Sequence, residues 1–333
     1  MKYSGIGGQA VIEGIMMRNG DRYSVAVRKP DGEIAVEVTE RVPLTSRYKI
    51  ASLPFIRGSF SFAESLIVGM KTLMFSASFY EDDEGEEPGK FEQWLEKTFG
   101  DKLDKLIMTV SLILSVIIAM VVFMWLPLAI AGVLKKLIAS DTLIALLEGI
   151  IRVMIFIIYI KLISRTEDIR RTFMYHGAEH KCINCIEHGM ELNVDNVAVS
   201  SKEHKRCGTS FIVIVMIISI LFFMVVRFDS PIYRLLSRIV LLPVIAGVSY
   251  EFLRIAGRSE SKLVDILSRP GMWMQGLTTY EPDDSMIEVA IAAVNAIFDW
   301  RAYQEEEFPD GPDALGKELL IKAGARHKDK ADI

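Results

Sequence analysis

The sequence predicts an α-helical integral membrane protein with about four transmembrane helices and a small N-terminal β-rich element. The 333-residue chain has a mean hydropathy of +0.30, which argues against an ordinary soluble protein. Several of its apolar runs approach or exceed the roughly 18–20 residues that span a bilayer. The N-terminal segment has no such run and shows short alternating stretches and glycines instead.

The N-terminal segment, residues 1–57, is expected to form strands and turns. Residues 23–28 and 34–38 alternate apolar and polar side chains, and the turn sequence KPDG at 29–32 lies between them. This order predicts a β-hairpin. Because no Walker or Rossmann pattern follows, the glycines of the opening are interpreted as turn residues rather than as a phosphate-binding loop. They are Gly5, Gly7, Gly8 and Gly14.

Three features are expected between the β-rich element and the first span. Residues 58–79 are moderately apolar and predict a helix lying on the membrane or dipping into it. Residues 81–87 are almost all acidic and predict a solvated loop. An amphipathic lead-in helix is then indicated by large apolar residues at helical spacing, whose aromatic rings suit the membrane interface. These are Phe91, Trp94, Leu95 and Phe99.

Four apolar runs predict the membrane spans, at residues 106–134, 143–163, 211–226 and 232–255. Pro127 is expected to kink the first span. Glu148 and Arg152 stand four residues apart in the second span, and we expect them to form a structural ion pair facing protein or water. A transporter function would depend on such charges, and no internal repeat supports it.

The chain therefore divides into seven predicted segments. They are the β-rich element 1–57, interfacial helices with the acidic loop 58–105, two transmembrane helices 106–163, a polar segment 164–209, two further transmembrane helices 210–256, a helical C-terminal region 257–308 and a flexible tail 309–333. The loop between the first two spans has only two lysines, whereas segment 164–209 is rich in lysine and arginine. The positive-inside rule then predicts that this segment and both termini are cytoplasmic.

The polar segment contains the sequence Tyr175–Lys181, in which two histidines stand four residues apart. Side chains four apart share one face of a helix, so His176 and His180 are expected to be neighbours. Glu179 points to nearly the same side. This is the H-x-x-E-H order of one class of metallohydrolases, in which two histidines hold a metal and the carboxylate moves a proton of water.

Seven potential metal ligands lie within this segment: His176, Glu179, His180, Cys182, Cys185, His204 and Cys207. Imidazole and thiolate favour zinc, or another divalent transition metal, over magnesium or calcium. In one arrangement the two histidines of the helix are joined by His204 or Cys207, and Glu179 is the general base. In the other, C-x2-C at 182–185 and H-x2-C at 204–207 form a closed structural zinc site.

Other carboxylates have two interpretations each. Glu13 could reach the metal or pair with Arg18. Glu251 could supply a further ligand or pair with Arg254, three residues later. The acidic turn 281–284 could hold a hard cation, but a capping role for Asp283 or Asp284 is the preferred interpretation.

Five motifs of the chain resemble the YqhQ-like family of bacterial membrane proteins. They are the opening Gly7–Arg18, the His176–Lys181 sequence, Arg206–Phe211, Gln275–Thr279 and Glu281–Asp284. The resemblance implies a bacterial inner-membrane protein that is a predicted metal-dependent enzyme, and it favours the arrangement built on the helical histidine pair. The matching positions that could carry function are His176, Glu179, His180, His204 and Cys207.

We therefore expect a metal site at the cytoplasmic face, with zinc held by His176, His180, His204 and Cys207 and with Glu179 as the catalytic group. The leading function is a hydrolase acting on a membrane-associated peptide, membrane-protein segment or lipid. The alternative is a non-enzymatic scaffold or biogenesis factor for membrane proteins, with a structural metal. Membrane lipid and a membrane protein are the expected partners, and no basic stripe predicts nucleic acid binding.

Overall fold

The computed structural model describes residues 2–43, 46, 48–80, 103–226, 228, 230–256 and 261–331. The predicted acidic loop at 81–87 and the amphipathic lead-in helix at 91–99 lie outside these residues. The chain forms two compact units. The first comprises residues 1–80, 160–218 and 241–333, and the second comprises residues 81–159 and 219–240.

The N-terminal element is a four-stranded antiparallel sheet with its strands in chain order. The strands are β1 Gly7–Val11, β2 Gly14–Asn19, β3 Arg22–Arg28 and β4 Ile34–Glu40. The predicted hairpin is confirmed, because β3 pairs with β4 and the backbone N–H of Gly32 donates to the carbonyl of Lys29 at 2.9 Å.

Among the described residues the other main elements are α-helices, and a short 3₁₀ turn lies at Lys49–Ser52. They are α1 Ile56–Ala77, α2 Leu103–Met120, α3 Leu126–Leu134, α4 Asp141–Ile163, α5 Glu167–Glu187, α6 Val194–Val199, α7 Gly208–Val225, α8 Pro231–Ala256, α9 Lys262–Thr278, α10 Asp284–Asn295, α11 Trp300–Glu307 and α12 Ala314–Ala331. Helix α1 covers the stretch predicted at 58–79.

The central strands β2 and β3 bury side chains on both faces of the sheet, since successive side chains of a strand point to opposite sides. Ile15 and Met17 face a core shared with α5 and α10, whereas Met16 belongs to a second cluster with apolar residues of α1. The hydroxyl of Ser24 donates to the carbonyl of Ala293 at 2.7 Å and fixes α10 against the sheet. Helix α5, which contains the histidine pair, therefore packs against the sheet and α10 through this core.

Four helices are long and apolar enough to cross a membrane, as the hydropathy predicts: Thr109–Leu134, Asp141–Ile163, Gly208–Val225 and Ile232–Ala256. In each helix, at most a third of the most apolar 18-residue stretch is buried within the protein. Many of their leucine and isoleucine side chains are exposed, which suits contact with the acyl chains of membrane lipid. These helices are consistent with a membrane protein.

The first apolar helix changes its winding where proline enters it. A π-helical turn at Val121–Trp125 joins α2 to α3, and Pro127 follows directly. Proline has no N–H for the carbonyl four residues earlier, so the carbonyl of Phe123 is left for another donor. Arg152 Nε donates to it at 3.1 Å, and Arg152 Nη2 donates to Glu148 at 2.7 Å. The predicted Glu148–Arg152 ion pair is confirmed.

The C-terminal tail differs from the frayed segment that its charge and glycine content predict. Residues Ala314–Ala331 form helix α12. Leu319 and Ala323, four positions apart, are buried on one face of this helix. Arg326 donates to Asp195 of α6 at 3.0 Å. A narrow apolar face and a few ion pairs therefore hold this helix against the rest of its unit. The average composition of the tail does not reveal them, because they depend on the positions of individual residues.

Candidate metal centre

The histidine pair lies on one face of α5, as the four-residue spacing predicts. Glu167 and Asp168 occupy the first turn of the helix, where carboxylates favour the positive end of the helix dipole. The ring centroids of His176 and His180 are 4.4 Å apart. His180 is only 1% exposed, whereas His176 is partly exposed. The pair therefore lies at the edge of the buried part of the helix.

Both imidazoles bind a backbone carbonyl through Nδ1. Nδ1 of His176 is 2.9 Å from the carbonyl oxygen of Thr278, and Nδ1 of His180 is 2.6 Å from that of Lys202. A carbonyl oxygen only accepts, so each Nδ1 must carry the proton. In the neutral rings Nε2 is then an unprotonated donor of an electron pair. This is the arrangement in which histidines bind metal ions.

Cys207 completes a three-residue group. Its Sγ lies 3.2 Å from Nε2 of His176, and the backbone N–H of Thr209 donates to the same sulfur at 3.3 Å. The ligand atoms of His176, His180 and Cys207 all lie within 4.8 Å of one another. Zinc–ligand bonds of standard length place tetrahedral sulfur and nitrogen ligands about 3.6 Å apart. The three side chains are therefore close enough together that they could hold one transition-metal ion.

Glu179 lies beside this group. Its carboxylate accepts the backbone N–H of Gly8, and its Oε2 has no hydrogen-bond partner in the described part of the chain. The side chain is 4% exposed. Burial raises the pKa of the Glu179 carboxyl, against an opposing attraction from His176. An unpartnered buried carboxylate oxygen is costly, and a proton or a water in the centre would satisfy it.

His204 lies outside the three-residue group. Its Nε2 is 3.4 Å from the buried carboxylate of Glu187 and 3.2 Å from a guanidinium nitrogen of Arg206. The side-chain amide of Gln275 holds its backbone at both ends, with two hydrogen bonds of 2.8 Å. Burial lowers the pKa of His204 to about 4, so its ring is neutral at pH 7. Of the four predicted ligands, the structure brings His176, His180 and Cys207 together.

The two other cysteines are buried in the core of α5. Burial raises the pKa of both thiols, and Cys185 Sγ lies 3.4 Å from the carbonyl oxygen of Glu191. A protonated thiol is a poor metal ligand. Neither sulfur is part of the group formed by His176, His180 and Cys207. The structure therefore does not assemble the closed Cys182–Cys185 and His204–Cys207 arrangement.

Comparison with known proteins places the chain in a family. Residues 53–300, which include His176, His180 and Cys207, match the family model described as "Protein of unknown function (DUF1385)". The chain belongs to this family. It is also 34% identical over 301 residues to the "Uncharacterized protein YqhQ" of Bacillus subtilis strain 168, which covers 90% of this chain and 94% of that protein. No solved structure matches the chain.

The remaining predicted carboxylates of this family member bind other groups and lie outside the three-residue group. Both oxygens of Glu13 bind the guanidinium of Arg171, rather than that of Arg18. Glu251 binds Arg57, with Nε at 2.6 Å, and contacts Arg254 only at 4.0 Å. In the acidic turn 281–284, Glu281 forms an ion pair with Lys181 at 2.9 Å. Asp283 caps α10 as predicted, because its carboxylate accepts the N–H of Met286 at 2.9 Å.

Sequence reasoning missed the groups that orient the ligands. The carbonyls of Thr278 and Lys202 have no side-chain signature, because every residue has a carbonyl. Thr278 and Gln275 do lie in a motif that the family resemblance singled out, and that was the available signal. Metal-binding histidines usually donate the N–H of their second ring nitrogen to a carbonyl, a carboxylate or water. Polar segments that could lie near the pair are therefore worth searching for such acceptors.

Gly8 allows the sheet to approach Glu179 closely. A Cβ at this position would lie 2.6 Å from the carbonyl oxygen of Met16 and 3.0 Å from Cδ of Glu179. The neighbouring Gly7 has open space at the same point, with nothing within 4 Å. Both glycines lie in β1, so they form a matched pair for testing the contact.

We expect Gly8→Ala to destabilise the protein by roughly 1–3 kcal/mol, the usual cost of overpacking, and to displace the Glu179 carboxylate. Thermal unfolding of the purified protein in detergent measures the change. Gly7→Ala is the control and should unfold at nearly the native temperature. Equal behaviour of the two variants would show that β1 does not press on Glu179.

Proposed function

We propose that the protein is a metal-dependent hydrolase of the membrane, with one zinc ion held by His176, His180 and Cys207. The observation that carries the proposal is the fixed ring orientation of both histidines. Each donates Nδ1–H to a carbonyl, so both Nε2 atoms are available beside Sγ of Cys207. Two imidazoles and a thiolate favour zinc over harder cations.

The number of ligands favours catalysis over structure. A structural zinc site usually has four protein ligands, whereas a catalytic site has three and leaves one position for water or substrate. In the described part of the chain the group contains three side chains. A zinc ion with an open position lowers the pKa of a bound water and polarises a carbonyl or phosphoryl oxygen.

Glu179 has the properties of the accompanying general base. It is adjacent to His180 in sequence, and its carboxylate accepts a hydrogen bond from the Gly8 N–H. Its Oε2 has no hydrogen-bond partner within the described residues. It is also outside the three-ligand group, so it is not needed to hold the ion. These features support a role in accepting a proton from water and passing it to a leaving group.

The substrate class is proposed from the four apolar helices. A hydrolase held in the membrane meets substrates that are themselves membrane-associated, namely peptides, membrane-protein segments or lipids. The lysine and arginine content of residues 164–209 favours a cytoplasmic position for the centre, in the inner membrane of a bacterium.

The proposed orientation is tested by cysteine labelling in intact cells. Glu191→Cys lies at an exposed position after α5, and Leu137→Cys lies at the 83% exposed position between the first two apolar helices. A membrane-impermeant maleimide should label position 137 from outside and position 191 only after permeabilisation. The three native cysteines are buried, so the background is low. Labelling of position 191 in intact cells would contradict the cytoplasmic assignment.

Hydrolysis itself is tested with the zinc-loaded protein in lipid nanodiscs, incubated with a membrane extract containing its native lipids and proteins. Mass spectrometry should detect new peptide or lipid fragments, which should be absent with Glu179→Gln. A zinc-loaded protein that yields the same products as its Glu179→Gln variant would contradict the proposal.

A second candidate is a structural metal in a scaffold for membrane proteins. The burial of His180 and Cys207, at 1% and 5% exposure, favours it, because a closed site needs no access. The ion would then fasten α5 to the start of α7. X-ray absorption spectroscopy of the zinc protein distinguishes the two, since a catalytic site has a water oxygen as its fourth ligand.

A further inference from the structure

A charged cavity of about 50 Å³ lies in the second unit, among the ends of the apolar helices. Its charged lining comprises Lys135, Asp141, Glu148, Arg234 and Arg238. The two loops beside it, which join α3 to α4 and α7 to α8, lie at the same end of the predicted spans. A cavity volume of roughly 10–15 Å³ holds one water molecule, so this cavity is large enough for a small polyatomic ion.

Arg238 is the unusual group in this lining. Its side chain is 4% exposed, and one of its nitrogens, Nη2, is bound to Glu148. Its Nε and Nη1 are buried and have no hydrogen-bond partner among the described residues. Buried guanidinium nitrogens of native proteins are normally paired. Arg238 therefore has donors for a further negatively charged group.

The neighbouring carboxylate cannot supply that group alone. Glu148 is shared by two guanidinium groups, because Arg152 Nη2 also binds it at 2.7 Å. Arg152 is otherwise satisfied by the carbonyl of Phe123, at 3.1 Å, and by the hydroxyl of Ser219, at 3.2 Å. Two buried arginines thus face one buried carboxylate, and the local charge is positive.

The charges at the mouth of the cavity do not remove this excess. Lys135 pairs with Asp141 at 3.0 Å, so these two balance each other. Arg234 adds a further cation and donates to the carbonyl of Phe228 at 3.1 Å and 3.2 Å. The lining therefore has the charge pattern of an anion site, with arginine donors that match phosphate oxygens.

We propose that this cavity binds a phosphate group, supplied by the headgroup of an anionic phospholipid. Arg238 lies seven residues into α8, so its backbone is about 10 Å from the start of that helix. This depth lies near the boundary between headgroups and acyl chains. On the cytoplasmic side of other membrane proteins, basic pockets between transmembrane helices hold anionic headgroups, and this cavity offers the same arginine donors at the opposite end of the predicted spans. Free inorganic phosphate offers the same oxygens and is the other possible source.

The test uses the full-length protein in a neutral detergent. Native mass spectrometry should show phosphatidylglycerol retained and phosphatidylcholine, whose headgroup has no net charge, lost. Arg238→Gln should weaken retention of phosphatidylglycerol by about 10-fold or more, the usual effect of removing a charge-assisted bond. In a parallel arm, thermal unfolding is followed with added inorganic phosphate. Stabilisation by phosphate without lipid retention would identify free phosphate as the source.

Glu148→Gln tests whether the cavity is an anion-binding site or only a structural ion pair, since the substitution removes a negative charge from the cavity. It should tighten anion binding several-fold, opposite to the effect of Arg238→Gln. Lys161→Gln, an exposed lysine at the other end of α4, is the matched control and should bind as the native protein does. Absence of both lipid retention and phosphate stabilisation in the native protein would overturn the proposal. So would equal binding by native protein, Arg238→Gln and Glu148→Gln.

Discussion

Purified native protein is expected to contain about one zinc ion per chain, and His176→Ala or His180→Ala should each release it. Each change removes one of the three proposed ligands, and two remaining ligands hold zinc weakly. Loss of a neighbour that merely orients a ligand typically costs 10–100-fold in affinity, so loss of the ligand should cost more than about 100-fold. Metal analysis after dialysis against a competing chelator measures this.

His188→Ala is the matched control for these variants. His188 follows the end of the same helix but is engaged with Asp313, at 2.7 Å, outside the three-residue group. It should retain the native amount of zinc. His204→Ala should also retain it, because Nε2 of His204 faces Glu187 and Arg206 and is not part of the three-residue group. Full zinc content in both His176→Ala and His180→Ala would exclude the proposed centre.

The elements that sequence analysis could predict are those whose signal is local. The apolar runs predicted the four helices that are long and apolar enough to cross a membrane, because hydropathy is a property of consecutive residues. The hairpin β3–β4 followed from alternation on both sides of a turn at 29–32. The proximity of His176 and His180 followed from the helical repeat alone.

The parts that could not be predicted depend on distant pairing. Glu13 could have paired with Arg18 nearby, but it binds Arg171, 158 positions away, because β2 and α5 pack together. The choice between His204 and Cys207 as third ligand has the same origin. His204 and Cys207 are only three positions apart and lie far along the chain from the pair, so the docking of the chain after α6 decides which of them reaches Nε2 of His176.

Glu179→Gln is expected to distinguish a catalytic metal site from a structural one. The amide is nearly isosteric with the carboxylate, and its oxygen can still accept the N–H of Gly8. If Glu179 is the general base, the zinc content and the fold should stay unchanged. Turnover of the hydrolysed substrate should fall by roughly two to four orders of magnitude, the usual effect of losing a positioned acid or base.

If Glu179 instead only orients an imidazole, the same substitution should lower zinc affinity by about 10–100-fold. Titration of both proteins with a competing chelator therefore distinguishes the roles before the substrate is known. Cys182→Ser, a change of one polar atom in the same buried helix away from the ligand group, controls for loss of packing. Unchanged affinity with lost turnover supports catalysis. Growth complementation by Glu179→Gln in cells that lack the protein would contradict it, because a base that can be removed without loss of function is not catalytic.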